Sequence, residues 1–283
     1  MDVNQAQEDY WTSSAGLKWI EHERVLDAAM AGMLDVMLNA ANISPSARIL
    51  DIGCGTGAST IDASRRAPNG HVLGLDISRP LLDRASTRAR EEGICNASFL
   101  VADAQTHRFA GPAFDVLISR IGMSFFADPV SALKNLASAL EDGGRMVFVC
   151  WAAAEQNPWF QIPKQAAEAR LGAGPATDPR APGPTAFQDT RHVTALMAQA
   201  GLSEVDAKVL EIWLTPPNGA QGSAIAASRV GPAARIIKAR QGNEADGHAI
   251  ESSVAEGFLQ FEHGDKLRVP AVVNLFTCRV QAG

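Results

Sequence analysis

The stretch Arg48-Ile49-Leu50-Asp51-Ile52-Gly53-Cys54-Gly55-Thr56-Gly57-Ala58 constrains this chain more than any other. A short apolar run ends, glycines follow at every second position, and a helix-forming segment begins, the pattern of a buried strand, a tight turn and a helix start. Glycine takes positive φ without strain and lets another molecule approach main chain where a Cβ would stand in the way. Gly53, Gly55 and Gly57 therefore imply either a sharp turn and nothing more, or a ligand lying against bare backbone. Gly53, Gly55 and Ala58 also satisfy the G-x-G-x-x-G/A pattern of dinucleotide sites. Asp51 weighs the other way. Read as facing the cleft, its charge repels a pyrophosphate and attracts a ligand carrying an ammonium and a sulfonium. The stretch thus favours a phosphate-free, cationic nucleoside.

Downstream, apolar runs alternate with helical segments. Residues 47–52, 71–75, 96–102, 113–119 and 145–151 read as strands, with helices over 56–66, 79–92 and 128–140 between them. Right-handed crossovers then give a doubly wound parallel sheet with its ligand at the strand carboxyl ends. Asp76 closes the second strand about twenty residues past the glycine turn, where a carboxylate can accept both hydroxyls of a ribose diol. A helix N-cap is its other reading, although Ser78 before Arg79-Pro80 suits that role. Asp103-Ala104 ends the third strand, and Ser119-Arg120-Ile121-Gly122 the fourth. Arg120 is a candidate to hold a carboxylate, enolate or phenolate substrate, or simply one half of an ion pair. Met123, Phe125, Phe126, Trp151, Trp159 and Phe160 sit near the same mouth and suit an apolar or aromatic substrate.

These residues resemble the signature of the class I S-adenosylmethionine-dependent methyltransferases. Asp51-x-Gly53-x-Gly55-x-Gly57 is similar to their first motif, and the later motifs follow in order over about half the chain. The likeness is to the bacterial small-molecule group that includes the ubiquinone and menaquinone biosynthesis C-methyltransferases. It implies an α/β fold with a doubly wound, mostly parallel seven-stranded sheet, the sixth strand at 205–214 and an antiparallel final strand at 271–280. It implies S-adenosyl-L-methionine as cofactor and S-adenosyl-L-homocysteine as product; the chain has no C-x-x-C or Cys/His cluster, so no metal is expected. Asp51, Gly53, Cys54, Gly55 and Gly57 would line the cofactor, with Asp76 on its ribose and Ile77 against the adenine. Asp103 would receive the adenine amino group, the Ala104 backbone N–H would face the ring, and Ser119 would lie where the methyl group points. The resemblance also implies an N-terminal lid in which Tyr10, Trp11 and Trp19 close over the cofactor; ordinary packing of these rings is the alternative.

With 283 residues, 46% hydrophobic, the chain suits one domain with insertions. The expected parts are a helical lid (1–43), a cofactor-binding core (44–151), a cap insertion (152–190), and a C-terminal helix and strands (191–283) with a helical insertion near 216–264. A net charge of −6 and the lack of any Lys/Arg-rich run argue against a nucleic-acid partner. Four scattered cysteines suggest reduced thiols, and no apolar run is long enough to cross a bilayer, so a cytoplasmic monomer or homodimer acting on a small molecule is expected. His107 and His192 are candidate general bases, or solvent-facing side chains. Two other functions stay open: an NAD(P)-dependent oxidoreductase, and a non-catalytic, cofactor-binding protein of the same fold.

Overall fold

A computed structural model describes residues 4–281 except 112, 177 and 265. Four helices come first: α1 (Gln5–Thr12), α2 (Ser14–Glu21), α3 (Glu23–Ala29) and α4 (Ala31–Ala41). The helical lid expected over 1–43 is thus divided into short segments, at His22 and Met30 by residues with ψ near zero that turn the chain. The core follows as β1 (Arg48–Ile52), α5 (Ala58–Arg66), β2 (His71–Asp76), α6 (Arg79–Glu91), β3 (Ala97–Val101), β4 (Phe114–Arg120), α7 (Pro129–Ala137) and β5 (Leu140–Trp151). Then come α8 (Pro158–Leu171), α9 (Thr190–Gln199), β6 (Ser203–Leu214), α10 (Gly219–Arg229), α11 (Pro232–Ala239), α12 (Glu244–Phe258) and β7 (Val269–Arg279).

The seven strands lie in the order β3-β2-β1-β4-β5-β7-β6. β1 to β5 are parallel, and β7 runs antiparallel to both neighbours. Helices cover both faces, so the central strands must be apolar throughout; β1 is exposed only at Arg48. β6, at the edge, instead alternates along most of its length. On one face Met33, Met37 and Leu38 of α4 join the core of Ile49, Val116 and Val147. On the other, Leu133 and Leu136 of α7 and Met197 of α9 join that of Leu117, Met146 and Phe148. Phe148 stacks on Phe276 of β7 with centroids 5.0 Å apart, which fastens the antiparallel strand to the parallel core.

Strand order reverses between β1 and β4, so the helices that follow them leave to opposite faces and a crevice opens over their carboxyl ends. Residues of α1–α3, α8 and α10–α12 line the cavity over this crevice. α8 falls within the expected cap insertion. Pro158 occupies its first turn, where the missing N–H costs nothing, and Pro163 is buried as the helix packs on α11 and α12. Among the described residues no helix is long and apolar enough to cross a membrane, and no cluster of three or more His, Cys, Asp or Glu side chains could hold a metal. All four cysteines are free thiols.

Candidate functional site

The turn after β1 is built from left-handed residues, with φ of 65° at Gly53, 55° at Gly55 and 89° at Gly57. Two of these glycines answer to different demands. A Cβ on Gly53 would come within 2.8 Å of the Gly122 Cα, so its bareness lets the turns after β1 and β4 pack together. A Cβ on Gly55 would meet no protein atom within 4 Å, and Gly55 lies on the cavity wall: its bareness leaves a cradle for something else. Asp76, at the end of β2, is held beside it. Oδ2 accepts the Gly55 N–H at 2.8 Å and Oδ1 the Ser78 N–H at 2.9 Å. Burial raises the Asp76 pKa, and these backbone donors oppose the rise. Each oxygen keeps a lone pair for a further donor.

Asp51 does not occupy the place expected of it. Its side chain is fully buried under the first turn of α5, where Oδ2 accepts both the Ser59 and Thr60 hydroxyls at 2.6 Å, and it is absent from the cavity wall. A strand's side chains alternate between faces, and this one is turned beneath the helix that follows. Burial lifts its pKa to about 6, while the two hydroxyls and Arg120 pull downward. Oδ1 has no partner. Of these two acids only Asp76 reaches the cavity wall. Two other candidates also serve the scaffold: Ser119 donates to the Ile52 carbonyl at 2.7 Å, and Gly57 lets α5 approach Ala85 of α6.

At the end of β3, Asp103 meets the N-terminal segment. The Asn4 amide nitrogen reaches both carboxylate oxygens, at 3.0 and 2.9 Å, and the Asn4 Oδ1 accepts the Ala127 N–H at 3.0 Å. Trp11 stands between Trp19 and Phe125, with centroids 5.7 and 5.4 Å away, and its carbonyl accepts the Ser78 hydroxyl. α1 and α2 thus lie over the crevice as a ring-lined cover, with Tyr10 half-exposed at its rim.

One cavity of about 1730 Å³ contains most of these parts. That exceeds the roughly 300–1,000 Å³ typical of a small-molecule pocket, enough for two ligands side by side. Gly53, Cys54, Gly55, Asp76, Ile77, Asp103, Ala104, Arg120, Tyr10, Trp11 and Trp19 are on its wall. Burial raises the Cys54 thiol pKa, which keeps it neutral there. His107 and His192 are not on the wall. The His107 ring packs edge-on against Phe109, 4.8 Å away, which corrects its candidacy as a general base. Arg120 is on the wall but already paired, to Asp27 at 3.0 Å. The sequence reading missed Asn4, Glu23, Asp27, Thr56 and Arg88. The sequence shows only that Glu23 and Asp27 are four apart on one helix and Arg84 and Arg88 four apart on another, two charged edges that no local spacing pairs with each other.

Residues 49–144 match a family described as a methyltransferase domain. Aklanonic acid methyltransferase DauC of Streptomyces sp. (strain C5) is 38% identical over 102 residues, 36% of this chain and 46% of its own length. Demethylmenaquinone methyltransferase of Lactococcus lactis is 31% identical over 166 residues, 58% of this chain and 61% of its own. The chain spans about half the length of the curated relatives it matches. Among solved structures, Haemonchus contortus phosphoethanolamine N-methyltransferase 2 in complex with S-adenosyl-L-methionine has the same fold, with a TM-score of 0.57 at 14% identity over 99% of this chain and 60% of that one.

Proposed function

We propose that the chain, whose residues 49–144 match a methyltransferase domain, is a class I methyltransferase that transfers a methyl group from S-adenosylmethionine to an O, N, S or C atom of a small, apolar or aromatic metabolite. The observation that carries the cofactor assignment is the pairing of Asp76 with the Gly55 cradle. Two carboxylate oxygens, each fixed by one backbone N–H and each with a lone pair to spare, match a ribose diol beside main chain that nothing else fills. Ile77, Leu81 and Ala102 give the neighbouring wall an apolar surface for a purine, and Asp103 marks its far end.

When bound, S-adenosylmethionine supplies a methyl group already activated on a sulfonium. The chain's own residues therefore have to align two ligands and keep water out. Trp11, Trp19 and Phe125 cover the cofactor half; Trp151 and Phe160, edge to face at 4.9 Å, line the remainder with apolar surface suited to a planar acceptor. Among the described residues, His248 is the only histidine on the wall, and its ring nitrogens lie 3.7 and 3.5 Å from Glu244 and Glu251 at an exposed position. An acceptor that ionises unaided fits this wall better than one that needs a buried imidazole.

Calorimetric titration with S-adenosylhomocysteine and, separately, with NADH tests the assignment. A saturable response to the first and none to the second is expected; a response to NADH alone, or to neither, overturns it. Turnover is then read by mass detection of a gained methyl group across a panel of aromatic metabolites.

A further inference from the structure

Asp27, which the cofactor reading does not use, holds two arginines at once. Its Oδ1 accepts from Arg120 at 3.0 Å and its Oδ2 from Arg88 at 2.8 Å. Arg88, on α6, extends the chain of contacts to the glycine turn, donating to the Thr56 carbonyl and hydroxyl oxygens at 3.2 Å each. One turn earlier on α3, Glu23 takes Arg84 with both oxygens and lies 3.9 Å from Arg88. The side chains of Asp27, Arg88 and Arg120 are only 20%, 16% and 11% exposed, so solvent screens them less than it would a surface pair.

Arg120 is left with one guanidinium nitrogen, Nη1, that is buried and has no partner. A charged donor in that state is costly unless something completes it. The strand order says what lies opposite. Across the carboxyl ends, Asp103, Asp76, the glycine turn and Arg120 follow one another on β3, β2, β1 and β4. A nucleoside with its base toward Asp103 and its ribose on Asp76 must therefore extend its remaining arm over the glycine turn toward Arg120. In S-adenosylmethionine that arm ends in an α-carboxylate, and a guanidinium with an unpartnered nitrogen matches a carboxylate in charge and has a donor left for it.

Resting on the function proposed above, we propose that Arg120 receives the α-carboxylate of the cofactor, and that Asp27 is the positioning residue that holds it there and ties it to the glycine turn through Arg88. Arg120 then belongs to the cofactor's end of the cavity, not the acceptor's. Since α3 follows the covering helices directly, the same contacts seat the cover against the floor of the site.

The test compares S-adenosylhomocysteine with 5′-methylthioadenosine, which has the same nucleoside and thioether but no amino-acid arm. Dissociation constants for both are measured by calorimetry on the full-length wild type, Asp27→Asn, Asp27→Glu and Arg120→Gln, with melting of each ligand-free protein as the check on folding. Asp27→Asn and Arg120→Gln are expected to weaken S-adenosylhomocysteine at least about tenfold and leave methylthioadenosine within about twofold, with partial recovery in Asp27→Glu. Should Asp27→Asn not fold, Arg120→Gln, which keeps the Asp27–Arg88 pair, decides alone. Equal weakening of both ligands, or unchanged S-adenosylhomocysteine binding, overturns the proposal. Binding of neither ligand to the wild type overturns the cofactor assignment and this proposal with it.

Discussion

Replacing Asp76 by Asn keeps the side chain's shape and removes its charge and one of its accepting atoms. In the wild type the carboxylate accepts the Gly55 and Ser78 N–H groups, and under the proposed function it would also accept the two ribose hydroxyls of a bound nucleoside. A hydrogen bond to a charged group contributes about 1.5–3 kcal/mol, so the pair with the diol amounts to about 3–6 kcal/mol. That is a factor of about 10²–10⁴ in the dissociation constant, with Asn near the lower end because its oxygen still accepts one hydroxyl. Folding should respond little. Burial raises the Asp76 pKa, which means the ionised form is disfavoured in the ligand-free fold, and removing the charge offsets the backbone bond that the new amide cannot accept. Calorimetry with S-adenosylhomocysteine gives the first number, and melting of the ligand-free protein the second. Affinity within about threefold of wild type, in a variant that melts normally, would refute the assignment of Asp76 to the diol.

Asp51 offers a pH test. Its folded pKa of about 6 lies above the reference 3.8, so the protonated form is favoured in the fold. The associated stability is present below the unfolded value and is lost as pH rises through about 6, up to about 3 kcal/mol for a shift of about two pH units. Asp51→Asn should therefore gain on the wild type in urea unfolding between pH 4 and 7; a difference that does not change with pH contradicts the buried, hydroxyl-bonded geometry. Gly53→Ala, which combines a φ of 65° with a contact of 2.8 Å to Gly122, should lower unfolding free energy by about 1–3 kcal/mol. Gly93→Ala, at a φ of 70° with nothing within 4 Å, should cost less by the same assay. Asn4→Ala removes the contacts to Asp103 and Ala127, and should speed both proteolysis within residues 4–13 and dissociation of S-adenosylhomocysteine while leaving the main melting transition in place.

Much of the core was legible because its determinants are local. The central strands are covered on both faces, so their composition leaves little choice, and β1 with its three glycines announces itself. Asp76 was read by the same logic, from its place at the end of an apolar strand, whereas the role of Asp103 came from the family resemblance; both side chains lie on the cavity wall. Side-chain direction was not legible in this way. Whether Asp51 looked into the cleft or under α5 depended on the twist of one strand and on Ser59 and Thr60, eight and nine residues away. His107 drew attention by chemistry alone, and only the packing against Phe109 removes it. The α3–α6 ion pairs join residues 61 positions apart, beyond the reach of any local pattern.

Diffraction from crystals grown with S-adenosylhomocysteine tests the central claim most directly. Both Asp76 oxygens should lie within hydrogen-bonding distance of the two ribose hydroxyls, with the thioether chain over Gly55. Density for the nucleoside elsewhere in the cavity, or a ribose turned away from Asp76, would contradict it.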